Sequence, residues 1–185
     1  MLDLLKKLRD ENLDYRERTA VRNQIIDEAR NNRQELAEAL EKENSDAFKI
    51  ELLNILGATR DQFFEDALRK VLETDKSEKV LQTAATNLGK LGTGFSTLVD
   101  LLTHKSPNVR LGAVWGLLSL ADKKAIKYLL NSLDDQEPVV CWWSSPTAGA
   151  YTVGTEAAAA IDSLAGTEFK GDKSAIENWI SENLN

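Results

Sequence analysis

Cysteine and histidine are the scarcest chemically useful residues in this chain of 185 residues, which has one of each. The single cysteine, Cys141, excludes an internal disulfide and favours a reducing, cytoplasmic location. The single histidine, His104, excludes histidine-based dyads and metal sites built from several histidines. We therefore expect no catalytic residue, no metal and no cofactor, with His104 as a solvated loop residue and Cys141 as a small buried hydrophobe.

Long apolar runs and an excess of positive charge are also missing. No apolar run reaches the length that spans a membrane, and the first twelve residues lack the layout of a secretory signal. Acidic residues (30) outnumber basic ones (23), and the net charge of −7 argues against general nucleic-acid binding. We expect a protein partner, for which a basic protein is one candidate, and neither nucleic acid nor membrane, although acidity also serves simply to keep proteins soluble.

Proline is rare as well, with three in the chain, and this favours helix over strand. Three stretches then repeat one pattern: from a serine, apolar residues follow at offsets of three, seven and eleven, which mark one face of an α-helix. These sets are Phe48, Leu52 and Leu56 after Ser45; Val80, Ala84 and Leu88 after Ser77; and Val109, Ala113 and Leu117 after Ser106. We expect Ser106 to cap its helix, with Pro107 in the first turn.

Each serine-led stretch follows a shorter amphipathic helix, predicted over Arg33–Glu43, Asp61–Glu73 and Gly94–Leu102. Repeated helix pairs of this kind indicate an all-α fold, an α-solenoid. Leu2–Arg9 and Tyr15–Ala29 fit a first pair, so the prediction is about five antiparallel helix pairs.

The fifth pair is irregular. Its first helix is predicted over Asp122–Leu133, and its second helix should begin near Pro138, yet Pro146 and Gly149 are poor helix residues. Helix resumes at Thr155–Ala165, with Thr155 as the predicted cap. Either the pair carries an insertion of roughly a dozen residues, or its second helix is broken in two. A last helix, predicted over 172–183, would cap the array.

Two segments resemble HEAT-like repeats, particularly the bacterial type also found in phycobilisome-lyase proteins. The first is SPNVRLGAVWGLLSLADKKAIKYLLNSL, through Pro107, Val109, Arg110, Ala113, Leu117 and Leu120. The second is IDSLAGTEFKGDKSAIENWI, through Leu164, Gly166, Phe169, Asp172 and Trp179. The resemblance implies a right-handed superhelix and one domain over 1–185, with weak repeats over 1–44, clear repeats over 45–165 and a C-terminal cap over 166–185. It does not imply lyase activity, because such repeats occur in many unrelated scaffolds.

Trp115 departs from the repeat, because it aligns with the polar residues Asn54 and Thr86. One interpretation is an interface anchor on the concave face, which the second helix of each pair normally lines. The other is that curvature turns Trp115 into the next pair, while Gly112 and Gly116 permit close helix packing. Both interpretations stand at this point.

Further candidate residues for partner binding lie near the irregular segment. Trp142, Trp143 and Tyr151 could form one aromatic patch with Trp115, with one of the adjacent tryptophans buried and the other available. Arg110 either pairs with an acid of the neighbouring repeat, such as Asp134 or Asp135, or holds a carboxylate of the partner.

The leading hypothesis is a non-enzymatic interaction module that binds a protein through the concave face and segment 138–154. One version is an acidic immunity or inhibitor protein that covers a basic toxin or nuclease. The alternative is a ligand-binding or lyase-type subunit, in which Cys141, Trp142 and Trp143 line a pocket for a planar ligand. A similarity to HEAT-like DNA glycosylases is disfavoured by the acidity of the chain.

Overall fold

The computed structural model describes residues 1–139 and 151–184, and the regular secondary structure of these ranges is helical. The α-helices are α1 (Leu2–Leu8), α2 (Tyr15–Glu28), α3 (Arg33–Glu41), α4 (Asp46–Thr59), α5 (Glu65–Thr74), α6 (Glu78–Lys90), α7 (Phe95–Leu101), α8 (Pro107–Leu120), α9 (Ala125–Leu129), α10 (Val153–Ala165) and α11 (Lys173–Asn183). Short 3-10 turns occupy Ala29–Asn31, Gln62–Phe64 and Leu130–Asp134. The predicted all-α fold is confirmed. None of the helices described is long and apolar enough to cross a membrane.

The helices pair in chain order, and the second members of the pairs form a continuous row. α1 packs on α2, α3 on α4, α5 on α6 and α7 on α8, while α9 and its 3-10 turn pack on α10. The second helices α2, α4, α6, α8 and α10 contact one another in that order. The first helices touch one another far less, as α3 and α5 illustrate. Because the second helices are the more closely packed row, we expect the solenoid to curve towards them, and we call their outer surface the second-helix face.

The core lies between the two rows of helices and follows the predicted offsets. All nine residues at offsets three, seven and eleven from the three serines are buried. Leu52, Leu56 and Leu88 have no exposed surface. Burying a leucine side chain contributes on the order of 1.5–3 kcal/mol, so these positions carry much of the stability of each unit.

The last helix covers one end of the row. Ile176 of α11 is fully buried, and Phe169 packs edge-on against Trp179 with ring centroids 6.4 Å apart. The Lys127 ammonium of α9 donates to the carbonyl oxygen of Leu184 at 2.9 Å. The predicted capping helix is therefore present and begins at Lys173, after the side chain of Asp172 accepts the backbone N–H of Ala175.

Ion pairs join successive units at the turns between their helices. Three carboxylates each accept the backbone N–H two residues further on and pair with a cation of the preceding unit. The pairs are Arg9 with Glu43, Lys49 with Asp75, and Arg110 with Asp135. Burial alone raises the pKa of Glu43 and of Asp75, but the N–H donors and the cations outweigh it and lower each pKa below its ordinary value. The first two pairs fix the start of a second helix to the unit before it, and the third fixes the turn that leads into Pro138.

The joint between the third and fourth units lacks such a pair. His104 occupies the carboxylate position before Ser106, and Leu81 occupies the position held elsewhere by Lys49 and Arg110. The ring nitrogen Nδ1 of His104 accepts the backbone N–H of Ser106 at 3.1 Å. His104 is also partly buried. Its ring holds a turn, which corrects the expectation of a solvated loop residue. Ser106 occupies the N-cap position and Pro107 begins the helix, as predicted, but the Ser106 side chain makes no capping hydrogen bond.

The fifth unit carries an insertion. Pro138 forms an isolated antiparallel bridge with Thr152, and the Val139 N–H donates to the carbonyl oxygen of Tyr151 at 2.9 Å. Pro138 thus lies in a bridge and not at the start of a helix, and α10 packs on α8 as the other second helices pack on theirs, which supports the insertion alternative.

Two boundaries in this unit differ from the prediction. The cap of α10 is Thr152, which exchanges hydrogen bonds with Thr155 in a capping box, so the helix starts at Val153. The helix predicted from Asp122 starts at Ala125, because the Asp122 side chain first accepts the N–H of Lys124 at 2.9 Å and forms a turn.

Candidate partner-binding face

Trp115 lies on α8 and faces α10. Its side chain is partly buried, and its indole N–H donates to the Glu156 carboxylate at 2.9 Å. Glu156 is in the first turn of α10, and Tyr151 lies just before that helix. Trp115 therefore contacts the next unit, as one of the two interpretations expected, and the contact lies beside the insertion.

The residues that align with Trp115 are polar and belong to the same face. Asn54 is exposed and accepts a hydrogen bond from the Asn87 side chain at 3.0 Å. The Thr86 hydroxyl is partly buried and donates to the Gln82 carbonyl oxygen at 3.0 Å. Trp115 thus introduces a large apolar surface into a row of hydrogen-bonding side chains.

Glycines bring α6 and α8 unusually close. A Cβ atom at Gly112 would lie 2.6 Å from the carbonyl oxygen of Gln82, and one at Gly116 would lie 2.7 Å from that of Ala85. A Cβ atom at Gly89 would lie 2.0 Å from the carbonyl oxygen of Gly116. These distances support the interpretation that the glycines beside Trp115 serve helix packing.

Arg110 is buried, and its donors are used inside the molecule. Its guanidinium binds both carboxylate oxygens of Asp135, at 2.6 and 3.0 Å, and donates to the carbonyl oxygen of His104 at 2.8 Å. The hydrogen bonds that Arg110 donates to Asp135 raise the pKa of Arg110 above its ordinary value. Of the two roles expected for Arg110, the structure thus shows the internal one, with Asp135 as partner, while Asp134 pairs with Lys173. A contribution of Arg110 to partner binding stays a prediction, and its geometry limits that contribution to positioning.

Tyr151 is partly buried at the end of the insertion, where its carbonyl oxygen closes the loop. The other aromatic candidates, Trp142 and Trp143, and also Cys141, lie outside the described residues. The aromatic patch and the pocket of the ligand-binding or lyase-type alternative therefore stay predictions.

One surface that the sequence analysis missed is a groove between α3 and α5. The described residues contain four large exposed hydrophobic side chains: Leu2, Tyr15, Phe63 and Tyr128. Phe63 borders a groove between α3 and α5. The signal in the sequence is the Phe63–Phe64 pair, of which a helix can bury one member more easily than both.

Groups of three or more residues suited to hold a metal ion are absent from residues 1–139 and 151–184.

No curated protein matches the chain. A family model described as HEAT repeats matches residues 65–145, which span α5 to α9 and the start of the insertion. HEAT repeats generally mediate protein–protein interaction or scaffolding, and the family is typically non-enzymatic. The bacterial origin and the similarity to phycobilisome-lyase repeats stay predictions. The match and the row of packed helix pairs agree, and both support a HEAT-like repeat protein.

Proposed function

We propose that this chain binds a protein partner through the second-helix face and the adjoining segment 138–154, without catalysis. The observation that carries the proposal is Trp115: a partly exposed indole at a position where the aligned residues are polar, beside the two ends of the insertion. Tryptophan is strongly enriched among residues that dominate binding energy at protein interfaces. Tyr151, Trp142 and Trp143 are the neighbouring candidates in this proposal.

A basic partner is the finer part of the proposal. The net charge of −7 would accelerate association with a positively charged protein and make the affinity fall as salt is added. An immunity or inhibitor protein that covers a basic toxin or nuclease would have these properties, and the small size of the chain suits such a role.

The test compares partner recovery by variants of the tagged chain after chemical cross-linking in its own cells. Trp115→Ala removes the proposed anchor, and Tyr128→Ala is the matched control, because Tyr128 is an exposed aromatic residue on the first-helix side. We expect Trp115→Ala to lose at least tenfold in recovery of a partner that the control retains, which corresponds to about 1.4 kcal/mol or more of binding free energy. Thermal unfolding of both variants checks that they remain folded.

Equal recovery by wild type and Trp115→Ala would refute the proposed anchor. Two results would refute the basic partner while leaving the anchor intact. One is recovery of acidic or neutral partners alone. The other is binding that is unchanged between 0.05 and 0.5 M salt, where the Debye length is about 14 and 4 Å.

A further inference from the structure

A groove lies between α3 and α5, on the side of the first helices. Its volume is about 620 Å³. It exists because α3 and α5 touch at few places, whereas the second helices behind them, α4 and α6, are packed along their lengths. This groove is separate from the face proposed above for Trp115.

The floor of the groove is apolar, and an aromatic residue closes one end. Small and branched apolar side chains line the floor: Ala37, Leu40, Ala67 and Val71. Phe63 is 47% exposed, packs edge-on against Phe64 with centroids 5.5 Å apart, and lies 5.5 Å from the Arg33 guanidinium. Phe63 is thus held in place by two neighbours while it presents much of its ring to the outside.

The helices that form the groove carry more than half of the net charge of the chain. Residues 33–42 and 61–75 contain eight acidic and four basic side chains, a balance of −4 against −7 for all 185 residues. Each of the four basic residues already has a carboxylate: Arg33 has Asp61, Lys42 has Glu38, Arg69 has Glu65 and Lys70 has Glu41. Asp66, which lines the groove, has no ion pair within the described part of the chain. The unbalanced charge around the groove is negative.

We propose that this groove docks a basic amphipathic helix of a protein partner. From Phe63 to Thr74 the groove follows about 16 Å of helix, or roughly three turns at 1.5 Å per residue. An apolar stripe at spacing i, i+4, i+7 would fill the floor, and lysine or arginine on either side of the stripe would meet Asp66 and the other carboxylates that line the groove. The ion pair of Lys70 with Glu41 crosses the groove, but both side chains are more than half exposed and free to swing aside.

The test uses a defined probe: an acetylated and amidated 14-residue helical peptide with a leucine stripe flanked by lysines, and a second peptide with glutamates in place of the lysines. Binding to the full chain is followed by fluorescence anisotropy in 0.05 M salt. Ala67→Arg fills the groove with a long charged side chain. Ala20→Arg is the matched control, because it adds the same charge at an exposed position of α2.

We expect the lysine peptide to bind at least tenfold more tightly than the glutamate peptide, since charges of like sign repel at the rim. Ala67→Arg should lose at least tenfold in affinity, Phe63→Ala about as much, and Ala20→Arg less than threefold. Trp115→Ala should bind the peptide as wild type does. The groove proposal can therefore fail while the proposed function stands, and the proposed function can fail while the groove proposal stands.

Two results would overturn the proposal. One is an equal loss for Ala67→Arg and Ala20→Arg, which would show attraction to the overall charge and no docking in the groove. The other is self-association of the chain that Ala67→Arg abolishes in sedimentation, which would make a second copy the occupant.

Discussion

Alanine at position 89 would place a methyl group at the closest approach between two helices of the array. The Cβ atom would lie 2.0 Å from the carbonyl oxygen of Gly116 and 2.5 Å from its carbonyl carbon. Both are backbone atoms, so no side chain can rotate away to make room. α6 would have to move away from α8, along the most extensive contact between helices in the described structure.

Two effects of opposite sign determine how much unfolding free energy Gly89→Ala loses. Replacing glycine by alanine inside a helix stabilises that helix by about 1 kcal/mol. Overpacking a close contact costs about 3 kcal/mol at the upper end of the usual range, which applies here because the obstruction is backbone. We therefore expect Gly89→Ala to lower the free energy of unfolding by about 2 kcal/mol, and the melting temperature by about 4–8 °C for a chain of this length.

Urea unfolding followed by circular dichroism, together with a thermal scan, measures the change. Gly166→Ala is the control: its position also disfavours alanine, with φ at +75°, but its Cβ atom would meet nothing within 4 Å. The control should lose about 1 kcal/mol from the backbone conformation alone. If Gly89→Ala were as stable as wild type, the close approach would not be a determinant of stability and the packing argument would be wrong.

Two further predictions concern the ion pairs between units. The pKa of Glu43 and of Asp75 is lower in the folded chain than the ordinary 4.5 and 3.8. The unfolded chain therefore binds more protons than the folded chain as the pH falls through these values. The stability that both carboxylates contribute at neutral pH is lost below about pH 4.5. In urea titrations at pH 7 and pH 4, Glu43→Gln should show a smaller difference in unfolding free energy than wild type, and an unchanged difference would contradict the assignment. Arg110→Met should cost about 3 kcal/mol of unfolding free energy because it leaves Asp135 without its buried partner. Arg110→Lys should keep part of this stability, since an ammonium retains the charge but cannot bind both carboxylate oxygens and a carbonyl at once. Equal losses for the two variants would contradict a contribution from the charge, and no loss for Arg110→Lys would contradict the role of the bidentate geometry.

Local periodicity was enough to predict the core of this fold. The residues at offsets three, seven and eleven are buried because a helix that packs on one side must bury one face, and that face can be read from the residue order alone. The pairing of Arg110 with Asp135 was within reach for a similar reason, because the turn after the next helix returns to the same end of the array.

Features that depend on distant residues could not be predicted in the same way. The start of α10 is one example: a Cβ atom at Gly154 would lie 2.5 Å from the carbonyl oxygen of Leu133, so the glycine lets α10 approach the preceding turn, and the helix begins earlier than predicted. Trp115 and its acceptor Glu156 are 41 residues apart. The groove between α3 and α5 depends on how far apart two helices are held by others behind them, and no single stretch of sequence carries that distance.

The joints of the array differ in chemistry, and this sets the order in which its units would separate. The first, second and fourth joints include the pairs of Arg9, Lys49 and Arg110 with their carboxylates, whereas the third has backbone against backbone at Gly89 and Gly116. Dissolved salt screens exposed charges far more than buried ones, and it leaves the backbone contact unchanged. Arg9 is half exposed, whereas the pairs of Lys49 and Arg110 are largely buried. Concentrated salt should therefore loosen the first joint before the other three.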